Sequence, residues 1–187
     1  AYTYDKIDLK DVPDQLKNAL IATEDKNFYK HHGYDLLGIV RSSIQNVIAR
    51  RTVQGASTLT QQLSRILFLS NERTFTRKIK ELEISARIEK TISKDQILEM
   101  YLNNVYLGSG AYGVSAASKI YFNKKLNQLT LPELAMIAGL PQAPSVYNPY
   151  NNKDLAIKRR NQVLKRMLTM KYITEEEYNK AIDAPLH

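Results

Sequence analysis

Four times the chain places Ser or Thr three residues ahead of Glu or Gln, at the front of an apolar pattern with helical spacing. The pairs are Thr58 with Gln61, Ser93 with Gln96, Thr130 with Glu133 and Thr174 with Glu177. Each is a capping box, in which the hydroxyl accepts from the N–H three residues on and the longer side chain reaches back to the first N–H. Helix starts of this kind commit much of the chain to α-helix. Pro13 and Asp14 open another helix with Leu16, Ala19 and Leu20 on one face. Asp35 can cap a further one over Leu37, Val40, Ile44, Val47 and Ile48. No long alternating run supports a strand, so the reading is an all-α protein of about eight or nine helices.

Breaks fall at "RRTVQGAS" (50–57), "YLGSGAYG" (106–113) and "LPQAPSVYNPYNN" (140–152), and there is no internal repeat. We read one domain over 1–187, with helices at about 154–170 and 175–183 packing as an appended lobe. Hydrophobic residues make up 43%, which excludes a disordered chain. A net charge of +8 favours anionic partners: nucleic acid, an anionic membrane surface or a phosphorylated substrate. Absence of cysteine excludes a disulfide framework and a thiolate metal site. No run reaches the roughly 18 apolar residues of a membrane span. No signal peptide opens the chain, nor does an initiator Met, so it reads as an excised domain lacking any anchor.

Three stretches carry chemistry. In "ALIATEDKNFYKHHG" (19–33) an apolar helix ends in Glu24 and Asp25, beside Phe28, Tyr29, His31 and His32. A solvated helix end and a catalytic carboxylate at the lip of a cleft both fit that pattern. In "GASTLTQQLSR" (55–65), Gly55 permits a turn and Ser57–Thr58 open a helix whose free N–H groups suit a phosphate. Gln61, Gln62 and Arg65 add donors, although a well-capped helix alone explains the stretch too. Beyond "SNERTF", Phe75, Ile79, Leu82 and Ala86 form one stripe, with Arg73, Arg77, Lys80 and Glu81 roughly opposite. Ile84 and Ile88 continue that far side, so the helix is expected to enter the core and leave its charged end facing a cleft. Cations beside one carboxylate suit an anionic ligand; a surface ladder of Arg73, Arg77 and Glu81 is the alternative.

Other features read as structure. The wide stripe from Leu36 to Ile48 is core, with an outward part able to touch a membrane beside Arg41, Arg50 and Arg51. Glycines 108, 110 and 113 form a turn, not a dinucleotide fingerprint. His31 and His32 are adjacent and His187 is far off, which does not make a metal site.

Taken together the stretches resemble the peptidoglycan glycosyltransferases, the transglycosylase domain of class A penicillin-binding proteins and of the monofunctional enzymes. The first motif of that family, Glu-Asp-x-x-Phe-x-x-His-x-Gly, is met by Glu24, Asp25, Phe28, His31 and Gly33. "GASTLTQQ" from Gly55, "RKIKE" from Arg77, "ILEMYLNNVYLGSGAYGV" (97–114) and "RRNQVLKRM" (159–167) meet the other four in order. The resemblance implies a lysozyme-like, mainly helical large lobe with a small membrane-facing jaw within about 34–56. It implies joining of lipid II units into β-1,4 glycan strands, with inversion at the anomeric carbon and release of undecaprenyl diphosphate. Glu24 would be the general base, and Glu81 with nearby Arg and Lys would stabilise the diphosphate. Substrate contacts carried over are Asp25, His31, Arg41, Ser57, Thr58, Gln61, Gln62, Arg65, Arg73, Arg77, Lys78 and Lys80. A divalent cation, Mg2+ or Mn2+, would sit on the diphosphate by way of Glu81; no organic cofactor is expected. The partners implied are lipid II, the growing strand, a membrane surface and moenomycin as inhibitor, with no nucleic acid. The implied place is the outer face of the bacterial plasma membrane. Two departures stand out: Arg65 where Lys is common, a planar fork for a point charge, and Ala56 where Gly is common.

The residues agree with this on their own chemistry. A sugar 4-hydroxyl needs a base to attack, and Glu24 among apolar and aromatic neighbours is placed to serve. A departing diphosphate needs positive charge more than a proton. A lysozyme-like hydrolase would share the helices and the Glu but has no use for the cations around Glu81. A basic nucleic-acid or membrane module would use the charge without needing Glu24.

Overall fold

The computed structural model describes residues 6–35, 40, 44, 57–68 and 74–186. Eight α-helices have their bounds there: α1 (Asp14–Glu24), α2 (Leu59–Phe68), α3 (Phe75–Thr91), α4 (Lys94–Asn104), α5 (Val114–Phe122), α6 (Leu131–Ala138), α7 (Lys153–Thr169) and α8 (Glu175–Ile182). Among the described residues there is no strand, and an isolated bridge joins Tyr106 to Tyr112. The chain is mainly helical, as the capping pattern predicts.

All four capping boxes form. Thr58 N–H donates to Gln61 Oε1 at 2.8 Å and Gln61 N–H returns to Thr58 Oγ1 at 3.1 Å. The same reciprocal bonds close at Ser93 with Gln96, Thr130 with Glu133, and Thr174 with Glu177. Each satisfies N–H groups that a helix start otherwise leaves orphaned. Pro13 sits one place earlier than expected, as the extended residue just before α1.

Two compact units divide the chain: Ala1–Lys26 with Leu102–His187, and Asn27–Tyr101. In the first unit α1, α6 and α7 pack on one another and α8 packs on α7. Its core includes Leu16, Ala19 and Leu20 of α1, Leu134 and Ile137 of α6, and Val163, Leu164 and Met167 of α7. Burying a leucine side chain fully contributes about 1.5–3 kcal/mol. The glycine turn is structural: Gly113 has φ +86°, and a Cβ there would stand 2.6 Å from the Asn103 carbonyl oxygen. The C-terminal helices lie at 153–169 and 175–182, close to the expected ranges.

In the second unit α2 packs against α3. Here the structure corrects one expectation. Phe75 is 82% exposed and Ile79 half exposed, whereas the buried residues of α3 are Glu81 and Ser85. The polar face is the packed one, because its charges find partners and Ser85 leaves room for backbone to approach. Gly33, at φ +109°, lies so close that a Cβ would stand 3.0 Å from the Ser85 carbonyl carbon and oxygen. The expected jaw at about 34–56 falls outside the described residues except at 34, 35, 40 and 44, where Val40 and Ile44 are helical and exposed.

Candidate active site

Glu24 is the last residue of α1, one turn beyond buried Leu20, so the carboxylate stands where the apolar stripe runs out. A helix C-terminus is an unfavourable place for negative charge. Arginines of α7 answer it within the same unit. Arg166 Nη1 donates to the Thr23 carbonyl at 2.8 Å. Arg159 is buried, its Nε donates to the Gly139 carbonyl at 3.0 Å, and its guanidinium carbon lies 5.2 Å from the Tyr147 ring centre. Burial pushes the Arg159 guanidinium below its usual value; the Glu24 charge opposes this and Arg166 adds to it. Asp25 is buried and closes α1, its N–H donating to the Ile21 carbonyl at 3.0 Å.

The second unit holds the other cluster. Glu81 has a side chain only 4% exposed, and both its oxygens meet cations: Lys78 Nζ at 2.8 Å and Arg65 Nε at 3.3 Å. Lys78 Nζ also donates to Ser57 Oγ at 2.9 Å, just ahead of α2. Gln62 Oε1 accepts from the Tyr101 hydroxyl at 3.0 Å, and Gln62 Nε2 donates to the Ser57 carbonyl at 3.4 Å. One carboxylate thus holds two cations side by side at the start of a helix, with net positive charge left over.

The expected site residues therefore part into groups. Ser57, Gln62, Arg65, Lys78 and Glu81 come together directly. Thr58 and Gln61 are buried and occupied in capping α2. Arg77 is half-buried and Lys80 exposed on α3. His31 is buried, and its ring meets Lys94, Glu89 and the Gly33 N–H. Arg41 and Arg73 lie outside the described residues. Sequence reasoning did not single out Arg159 and Arg166 beside Glu24, although "RRNQVLKRM" contains both. As for a metal, both Glu81 oxygens are ion-paired, and among the described residues no three His, Cys, Asp or Glu gather. That donor set does not fit a resident divalent cation.

The fold and these clusters define a mainly helical protein built around compensated buried charge. A family model described as "Transglycosylase" matches residues 2–168, and the chain belongs to that family. It is 51% identical over 180 residues to penicillin-binding protein 1A of Aquifex aeolicus, covering 96% of this chain and 25% of that one. Against penicillin-binding protein 1A of Escherichia coli it is 51% identical over 185 residues, covering 97% and 22%. A crystal structure of penicillin-binding protein 1A from Haemophilus influenzae aligns with TM-score 0.59 and 31% identity, over 99% of this chain and 18% of that one. The chain thus spans about a quarter of the length of the curated relatives it matches.

Proposed function

We propose that this chain is a peptidoglycan glycosyltransferase that polymerises lipid II into β-1,4 glycan strands with inversion at the anomeric carbon. The observation that carries this reading is the buried Glu81 clamped between Lys78 and Arg65, with Lys78 tied to Ser57 ahead of α2. The carboxylate lets two cations stand close without the repulsion they would otherwise suffer. They are then aimed before any substrate arrives, which is what stabilising a charged leaving group requires. Membership of the transglycosylase family supports this reading of the cluster.

In that reaction Glu24 takes the proton of the acceptor 4-hydroxyl as its oxygen attacks the donor's anomeric carbon. The bond from that carbon to the diphosphate oxygen breaks, and its electron pair leaves with undecaprenyl diphosphate. Arg65 and Lys78 receive the growing negative charge. Arg166 holds the end of α1 through the Thr23 carbonyl, and Arg159 supplies positive charge to the base. No step runs through a metal; a cation arriving with the diphosphate is substrate chemistry. Moenomycin is expected to compete for the same residues.

The membrane reading gains support from α2 and α3. Phe68 is 63% exposed and Phe75 82%, with Ile66, Leu67 and Ile79 exposed in the same unit and Lys80 beside them. No helix of the described residues is long and apolar enough to cross a membrane. Exposed apolar side chains with cations suit the interface of an anionic bilayer, and we place the intact protein at the outer face of the bacterial plasma membrane.

The test is to incubate the chain with fluorescent lipid II in detergent and resolve the products on a gel. Strands that lysozyme digests are the expected result. Cleavage of finished glycan with no strands from lipid II would establish a hydrolase instead.

A further inference from the structure

A second buried charge cluster in Asn27–Tyr101 takes no part in the chemistry above. Lys94 opens α4, and three groups from different stretches share its ammonium. Nζ lies 2.5 Å from Glu89 Oε1 on α3, 3.2 Å from His31 Nδ1 and 4.7 Å from the centre of the Phe28 ring. Glu89 Oε1 also accepts from Thr60 Oγ1 of α2 at 2.9 Å. His31 Nδ1 accepts from the Gly33 N–H at 3.1 Å as well. The side chains of His31, Glu89 and Lys94 are 5%, 8% and 19% exposed.

The contacts of the imidazole bear on its tautomer. Two donors converge on Nδ1, and this contact pattern assigns the ring hydrogen to Nε2. An ion pair buried this far contributes little net stability, since desolvation offsets the attraction. What it supplies is position. Lys94 draws together the loop that carries Phe28 and His31, the last turn of α3 and, through Glu89, the first turn of α2.

From there the contacts run to the anion cluster. The Gly33 carbonyl accepts from Thr58 Oγ1 at 2.8 Å. Thr58 caps α2, and its neighbour Ser57 receives Lys78, which holds Glu81. We propose that Lys94 and Glu89 are positioning residues for the diphosphate cluster, acting through His31, Gly33 and Thr58. The linkage stands on geometry alone; its catalytic consequence rests on the glycosyltransferase reading.

The experiment pairs 15N NMR and amide hydrogen exchange with kinetics, on the parent, Glu89→Gln, Lys94→Met, the double variant and Lys94→Arg. Glu89→Gln is close to isosteric and carries the test if Lys94→Met does not fold. His31 of the parent is expected as the neutral Nε2–H tautomer. Both single variants are expected to exchange faster at the Gly33 and Gln61 amides. They are expected to lower kcat for lipid II about tenfold with little change in KM, because the loss falls on the transition state. The double variant is expected to fall no further than the worse single one, since the pair acts as a unit, and Lys94→Arg is expected to recover part of the rate. A parent His31 protonated at Nδ1, or unchanged exchange at both amides, overturns the linkage whatever the activity. Faster exchange with kcat within about twofold of the parent overturns the positioning role. If the parent makes no strands, the glycosyltransferase reading fails separately. Binding of inorganic diphosphate then replaces kcat: about tenfold weaker binding in the variants supports the role and equal binding overturns it.

Discussion

A carboxylate buried as deeply as that of Glu81 is stable only while its cations stay. Glu81→Gln keeps the shape and leaves Lys78 and Arg65 facing each other without their anion. We expect kcat/KM for lipid II to fall on the order of a hundredfold with helix content by circular dichroism unchanged. A variant within about twofold of the parent removes Glu81 from the account. Arg65→Lys keeps the charge but loses the fork, and a modest rise in KM is expected, against a large one for Arg65→Ala. Arg159 is the residue-scale surprise. Its spacing on α7 does not distinguish a solvated arginine from a buried one, and only the packing of α6 and α1 shows that it turns inward. Arg159→Met removes the bond to the Gly139 carbonyl and the charge that answers Glu24. A stability loss of about 1–3 kcal/mol by urea denaturation is expected, together with a fall in kcat that added osmolyte does not restore. Full activity in the folded variant would make Arg159 purely structural.

At the scale of elements, the helix starts were legible because a capping box is local: both partners lie within four residues and need nothing from elsewhere. The box ahead of α6 makes a pH-dependent prediction. Burial alone would raise the Glu133 carboxyl, but the Thr130 N–H, Lys124 and the Thr130 hydroxyl bring it below its usual value. The unfolded chain, at about 4.3, therefore binds that proton more readily than the folded one. The stabilisation is complete above the unfolded value and is lost as pH falls through the lower folded value. Glu133→Gln should cost up to about 1 kcal/mol at neutral pH. Below about pH 4 the difference from the parent should shrink toward zero; a gap that persists in acid would contradict the assignment. The buried face of α3 was not legible. Its partners come from α2 and from the loop around Gly33, and no spacing within 75–91 announces that Glu81 and Ser85, rather than Phe75 and Ile79, are covered. The same non-local packing turns His31 onto Lys94 and Glu89.

For the whole molecule, the net charge of +8 and the exposed apolar side chains of α2 and α3 are what the proposed lipid-surface contact would use. Replacing Phe75 and Ile79 by Ser should weaken co-sedimentation with phosphatidylglycerol vesicles on the order of tenfold or more. Binding that depends on salt alone and ignores both residues would reduce the surface to electrostatics. The helical class and the order of the motifs were readable from the chain; the jaw expected within about 34–56 lies largely outside the described residues and takes no part in these arguments. Glu24 is the residue on which the proposed reaction turns, since the attacking hydroxyl needs a base. The most direct test is polymerisation of labelled lipid II by the parent beside Glu24→Gln, with folding of both checked by circular dichroism. The account predicts strands from the parent and none from the folded variant; strands from both at similar rates would contradict the assignment of Glu24 as the base.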